Sequence, residues 1–68
     1  MPTIHVELFE GRSVELKRAL AQELTAACVR VLGGSASGVD VIFTDVARHN
    51  WATAGVLWSE APRPPTSA

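Results

Sequence analysis

Apolar and polar residues alternate from Pro2 to Leu8, with Ile4, Val6 and Leu8 on one side and Thr3, His5 and Glu7 on the other. A period of two predicts a half-buried strand over residues 2–8. Phe9, Glu10, Gly11 and Arg12 then read as a turn, with Gly11 as its flexible point. Beyond it the period changes. Leu16, Leu20, Leu24, Ala27 and Val31 recur at spacings of three and four, the stripe of an amphipathic helix over Val14–Leu32. Lys17, Arg18, Gln22, Glu23 and Arg30 are expected to fall largely elsewhere on it. Ser13 is a suitable N-cap, and Glu15 suits the positive end of the helix dipole. Gly33 and Gly34 stop the helix, with Gly33 expected as a left-handed C-cap.

Alternation returns at Val39–Thr44, where Val39, Val41 and Phe43 oppose Asp40, Ile42 and Thr44. A helix between two strands predicts a right-handed βαβ unit with parallel strands, an α+β fold. Residues 47–54 read as a loop containing Trp51, and Gly55–Trp58 as a short β segment. Residues 61–68 hold three prolines and no periodicity, so a flexible tail is expected after one domain over 1–60.

Composition adds a constraint. The chain has 68 residues, 47% of them hydrophobic, and a formal charge of -1. That is globular composition. A chain this short buries too little apolar surface to be comfortable alone and needs a disulfide, a metal or self-association. A single cysteine, Cys28, excludes an internal disulfide, and His5 and His49 do not make a zinc cluster. Oligomerisation remains. A two-stranded unit with one helix also leaves sheet edges and a sheet face open, which a second copy would cover. The near-neutral charge argues against nucleic acid as a partner, and no stretch is long and apolar enough to span a membrane. The first residues do not read as a signal peptide, so a cytoplasmic protein is expected, in keeping with the lone thiol.

Four positions are candidates for chemistry. Removal of Met1 would leave Pro2 with a free secondary amine, whose pKa falls toward neutrality in an apolar site, as a general base needs. Proline also starts many edge strands with no such role. Arg12, beside a helix N-terminus, suits a carboxylate, although a surface pair with Glu10 or Glu15 would equally explain it. Trp51 is suited to wall an apolar pocket or to pack in an interface, the role expected of Trp58. Asp40 is either a solvated strand residue or part of a site. His5 and Glu7 read as solvated or interface residues, and Cys28 as a small packing residue. Arg48 and His49 are within possible reach of a ligand, with no spacing that assigns them.

Taken together, Pro2, the alternating strand, the Phe9-Glu10-Gly11-Arg12-Ser13 turn, the amphipathic helix and Val39-Asp40-Val41-Ile42-Phe43-Thr44-Asp45 resemble the 4-oxalocrotonate tautomerase family, over about residues 2–59. The resemblance implies a βαβ unit with a short C-terminal hairpin, which dimerises into a four-stranded sheet backed by two helices. Three such dimers would form a homo-hexamer. It implies an isomerase acting on small unsaturated 2-oxo or 2-hydroxy carboxylic acids, with no cofactor. Pro2 would be the catalytic base, Arg12 the binder of a distal carboxylate, and Trp51 the aromatic that keeps the amine's surroundings apolar.

One position departs from that pattern. The family's second functional arginine lies in the second strand between two valines, where this chain has Asp40. An acid there repels the substrate's carboxylate, and loss of a charge-stabilising donor typically costs about 3–4 kcal/mol of barrier. Asp40 near Pro2 would also favour the protonated amine. Three readings follow: a tautomerase; a hydratase or dehalogenase-like lyase with Pro2 as acid and Asp40 activating water; or a non-catalytic or hetero-oligomer subunit whose partner supplies the missing arginine. Arg48 is a possible substitute cation.

Overall fold

The computed structural model describes residues 2–60. The predicted tail over 61–68 lies outside them. In chain order the elements are β1 (Thr3–Phe9), α1 (Val14–Leu32), β2 (Asp40–Val46), β3 (Ala52–Thr53) and β4 (Val56–Leu57). Single 3-10 turns occupy Ala36–Gly38 and Arg48–Asn50. β1 and β2 pair in parallel, in register from Thr3 opposite Asp40 to Phe9 opposite Val46. The parallel pairing requires a crossover, and α1 supplies it.

The helix has the predicted limits because both ends are signalled locally. Ser13 Oγ accepts a hydrogen bond from the Leu16 N–H at 3.2 Å, closing the N-terminus. Gly33 donates its N–H to the Val29 carbonyl, at φ 83° and ψ -174°. The positive φ is as expected, but this ψ is far from left-handed helical values. The chain leaves α1 through an extended conformation essentially restricted to glycine.

Both strands differ from expectation at their ends. β1 runs on through Phe9, which the sequence placed in the turn, and β2 continues to Val46. The cause is pairing: the register continues to Phe9 and Val46, and the Glu10 N–H then bonds the Val46 carbonyl at 3.0 Å. Part of the predicted 47–54 loop is also strand. Ala52–Thr53 pairs antiparallel with Val56–Leu57. Ala54 and Gly55 make the two-residue turn, with positive φ of 55° and 79°, as the tightest hairpins require at both central positions.

Residues opposite one another in a parallel pair share a face. Ile4 with Val41, Val6 with Phe43, and Leu8 with Asp45 form one row, and each of these except Asp45 is half-buried. α1 lies over this row. The acid at the end of the row turns Lys17 inward, and its Nζ meets Asp45 Oδ2 at 2.8 Å, against the expectation that Lys17 faces away from the apolar stripe. The alternation expected in β2 is present: Val41 and Phe43 are half-buried, while Asp40, Ile42 and Thr44 are exposed.

No described residue is fully buried in the single chain. Leu16, Leu20 and Val31 are 56%, 39% and 75% exposed, so three of the five stripe residues remain largely uncovered in the single chain. β1 and β2 each keep one edge unpaired in their two-stranded sheet. A single copy therefore orders its backbone without gaining a hydrophobic core, which is unfavourable for an isolated domain.

Candidate active site

The four candidate residues fall into two groups at opposite ends of β1. At its start, Pro2 is half-buried and its carbonyl accepts the Asp40 N–H at 3.0 Å. That bond fixes the beginning of the chain against β2. Asp40 lies opposite Thr3, so its exposed side chain belongs to the face of Thr3, His5 and Ile42, not to the helix-covered face.

At the far end, Arg12 follows the turn out of β1 and Trp51 follows the turn out of β2. Seven residues of β1 separate this end from Pro2. At about 3.3 Å per residue, the strand holds the two groups roughly 23 Å apart. No side chain bridges that length. One copy cannot put its own Pro2 beside its own Arg12.

The far end is organised by aromatic packing. The Phe9 ring lies 4.7 Å from the Trp51 ring and 5.2 Å from the Trp58 ring, both tilted. The Trp58 N–H bonds the Trp51 carbonyl at 2.9 Å, and the Trp58 indole Nε1 donates to Thr53 Oγ1 at 2.9 Å. The small hairpin thus clamps Trp51 against Phe9. Tilted ring pairs at these distances contribute beyond the area they cover. The Arg48 guanidinium sits 4.4 Å above the same Phe9 ring. His49, in the same 3-10 turn, is exposed.

Two clefts adjoin this end. One, of about 360 Å³, lies between β1 and the start of α1 and is lined by Val6, Leu8, Arg12, Leu16, Lys17 and Leu20. Apolar walls with a guanidinium at the rim suit an organic anion. The other, about 240 Å³, has Glu7, Val46, Asn50, Trp51 and Ala52 in its walls. Glu7 makes it the poorer receptacle for a carboxylate. A larger apolar groove of about 580 Å³ along α1, lined by Ala21, Thr25 and Val29 among others, contains none of the candidate residues. Among the described residues no group of His, Cys, Asp or Glu is arranged to hold a metal. No helix among them is long and apolar enough to cross a membrane.

Phe9 and Trp58 were not recognised as parts of one cluster from sequence. The available signal was the supply of aromatics: four in the whole chain, of which three meet here.

The described residues thus form a βαβ unit with Pro2 and Asp40 at one end of β1, and with Arg12 and Trp51 at the other end in the walls of separate clefts. The comparisons with known proteins give the class to which this unit belongs. The family model described as tautomerase enzyme matches residues 2–61. The chain is 46% identical over 65 residues to a probable tautomerase of Ralstonia nicotianae, covering 96% of this chain and 93% of that protein. It is 38% identical over 63 residues to a 2-hydroxymuconate tautomerase of Comamonas testosteroni, covering 93% and 100%. Among solved structures, a 4-oxalocrotonate tautomerase homologue superposes with a TM-score of 0.82 at 41% identity, covering 93% of this chain and all of that one. A heterohexameric 4-oxalocrotonate tautomerase from Chloroflexus aurantiacus superposes at 0.83 with 30% identity, covering 88% and 97%.

The chain belongs to the 4-oxalocrotonate tautomerase family of the tautomerase superfamily, and its function is of the tautomerase type.

Proposed function

We propose that this chain isomerises small unsaturated 2-oxo or 2-hydroxy carboxylic acids, using the amine of Pro2 as general base once Met1 has been removed. The observation that supports it is the separation of the two groups along β1, together with the unpaired edge of that strand. Antiparallel pairing of β1 with the β1 of a second copy lays the head of one strand along the tail of the other. Pro2 of each copy then lies near Arg12 and Trp51 of its partner. A two-fold dimer built this way has two equivalent sites and a four-stranded sheet, and it covers the exposed Leu16 and Leu20. Three such dimers make the homo-hexamer. A mixed assembly, as in the heterohexamer from Chloroflexus aurantiacus, is the variant in which another chain supplies part of the site.

In this site Arg12 binds a substrate carboxylate and draws electron density toward it. Trp51 excludes water, so that the free amine is favoured over the ammonium. Pro2 removes a proton at one end of the conjugated system and returns it further along, leaving the composition of the substrate unchanged. A cytoplasmic location fits the free thiol of Cys28.

The test is Pro2→Ala with 2-hydroxymuconate as substrate, after intact-mass measurement of the wild-type protein. The mass should lack methionine. The variant should lose about 100-fold or more in kcat, the usual contribution of a positioned base. Retained Met1, which would make the Pro2 nitrogen an amide, or wild-type turnover by the variant, would refute the mechanism.

A further inference from the structure

We propose that Arg48 is the second substrate-binding cation of this protein, holding the carboxylate and neighbouring oxygen at the 2-oxo end of the substrate while Arg12 holds a distal carboxylate. This assignment rests on the tautomerase reading above and adds to it a specificity-determining residue.

Four observations carry it. First, β2 offers no cation: its residues are Asp40 to Val46, and its two ionisable groups are both acids. Second, Arg48 leaves the sheet at the same end as Arg12. The Glu10 N–H to Val46 carbonyl bond ties the two exits together, so the turns carrying the two arginines start from adjacent positions. Third, Arg48 is held in place. Its carbonyl accepts the Trp51 N–H at 3.3 Å, and its guanidinium lies 4.4 Å over Phe9, the ring that packs on Trp51. Fourth, Arg48 is exposed and forms no ion pair among the described residues; the ion pair there joins Lys17 to Asp45.

The chemistry follows from these. An aromatic face attracts a guanidinium but accepts none of its in-plane hydrogen bonds. The guanidinium is thus held over Phe9 and, among the described residues, is engaged by no acid, so its donors remain available to a ligand. A planar oxo acid can take two of those donors, through one carboxylate oxygen and the adjacent oxo or hydroxyl oxygen. Because the ring already restrains the side chain, less entropy is lost on binding than for a freely moving arginine.

The experiment compares wild type, Arg48→Gln, Arg48→Lys and Arg12→Gln on the diacid 2-hydroxymuconate and on the monoacid 2-hydroxypenta-2,4-dienoate. Sedimentation and thermal melting are measured on each variant. Arg48→Gln should lose roughly 10- to 100-fold in kcat/KM on both acids, the range for a hydrogen bond to a charged group. Arg48→Lys should recover part of the loss, and Arg12→Gln should lose chiefly on the diacid. With an active wild type, an Arg48→Gln variant within twofold on both acids overturns the proposal. So does a loss that melting or dissociation accounts for entirely. If the wild type acts on neither acid, it is the tautomerase reading that fails. Calorimetric binding of 2-oxoadipate then tests Arg48 separately: equal affinity in wild type and Arg48→Gln ends the proposal, and at least tenfold weaker binding by the variant supports it.

Discussion

Replacing Leu16 and Leu20 together by serine should dissolve the assembly and, with it, the fold. In the single chain these side chains are 56% and 39% exposed, so together about one leucine's worth of apolar surface waits for a partner. Burying a leucine is worth about 1.5–3 kcal/mol. A two-fold interface counts each substitution twice, so the double variant should weaken the dimer by roughly 3–6 kcal/mol, or about 10²–10⁴ in dissociation constant. None of the described residues of the released copy is buried to sustain it. Dissociation and unfolding should therefore occur together. Sedimentation velocity over a range of protein concentrations, run beside circular dichroism at 222 nm, checks this. The helix signal should fall as the oligomer disappears, and the wild-type melting temperature should rise with concentration. A double variant that keeps the wild-type oligomer over the same range would refute the placement of this stripe in an interface. A monomer with full helix content would refute the claim that one copy lacks a core.

Other substitutions probe the site and the local structure. Asp40→Asn removes an acid that would repel a carboxylate substrate; kcat/KM on 2-hydroxymuconate should stay level or rise several-fold, and a tenfold fall would contradict that role. Ala54 has a positive φ of 55° in the hairpin turn, where asparagine is better tolerated than alanine. Ala54→Asn should raise stability by about 0.5–1 kcal/mol in urea unfolding, with the gain absent if the turn is unformed. Asp45→Asn breaks the 2.8 Å contact with Lys17, whose partners are 23% and 45% exposed, and should cost no more than about 1 kcal/mol in the same assay.

Much of this molecule is local, and local features are legible in sequence. A period of two made β1 and β2 recognisable, and a period near four made α1 so. Ser13 and Gly33 set the limits of α1 because a cap acts within one turn of itself. Pro2 and Arg12 were identifiable as candidates from residue type and position. What sequence could not supply was which of them meet. The parallel register places Pro2 with Asp40 and puts Arg12 at the other end of β1, roughly 23 Å away on a rise of about 3.3 Å per residue. The same register extends β1 to Phe9, where three aromatic rings and Arg48 converge from segments up to 49 residues apart in the chain. Lys17 turns toward the sheet because Asp45 ends the row beneath it, a contact across 28 residues that no helical periodicity encodes. Periodicity reports which side of an element is apolar. Long-range pairing decides which ends lie together, and here it puts Pro2 beside Asp40 and leaves Arg12 and Trp51 at the far end of β1. The seven residues of β1 are too long a spacer for its two ends to cooperate within one molecule, so a solution monomer should show no full turnover.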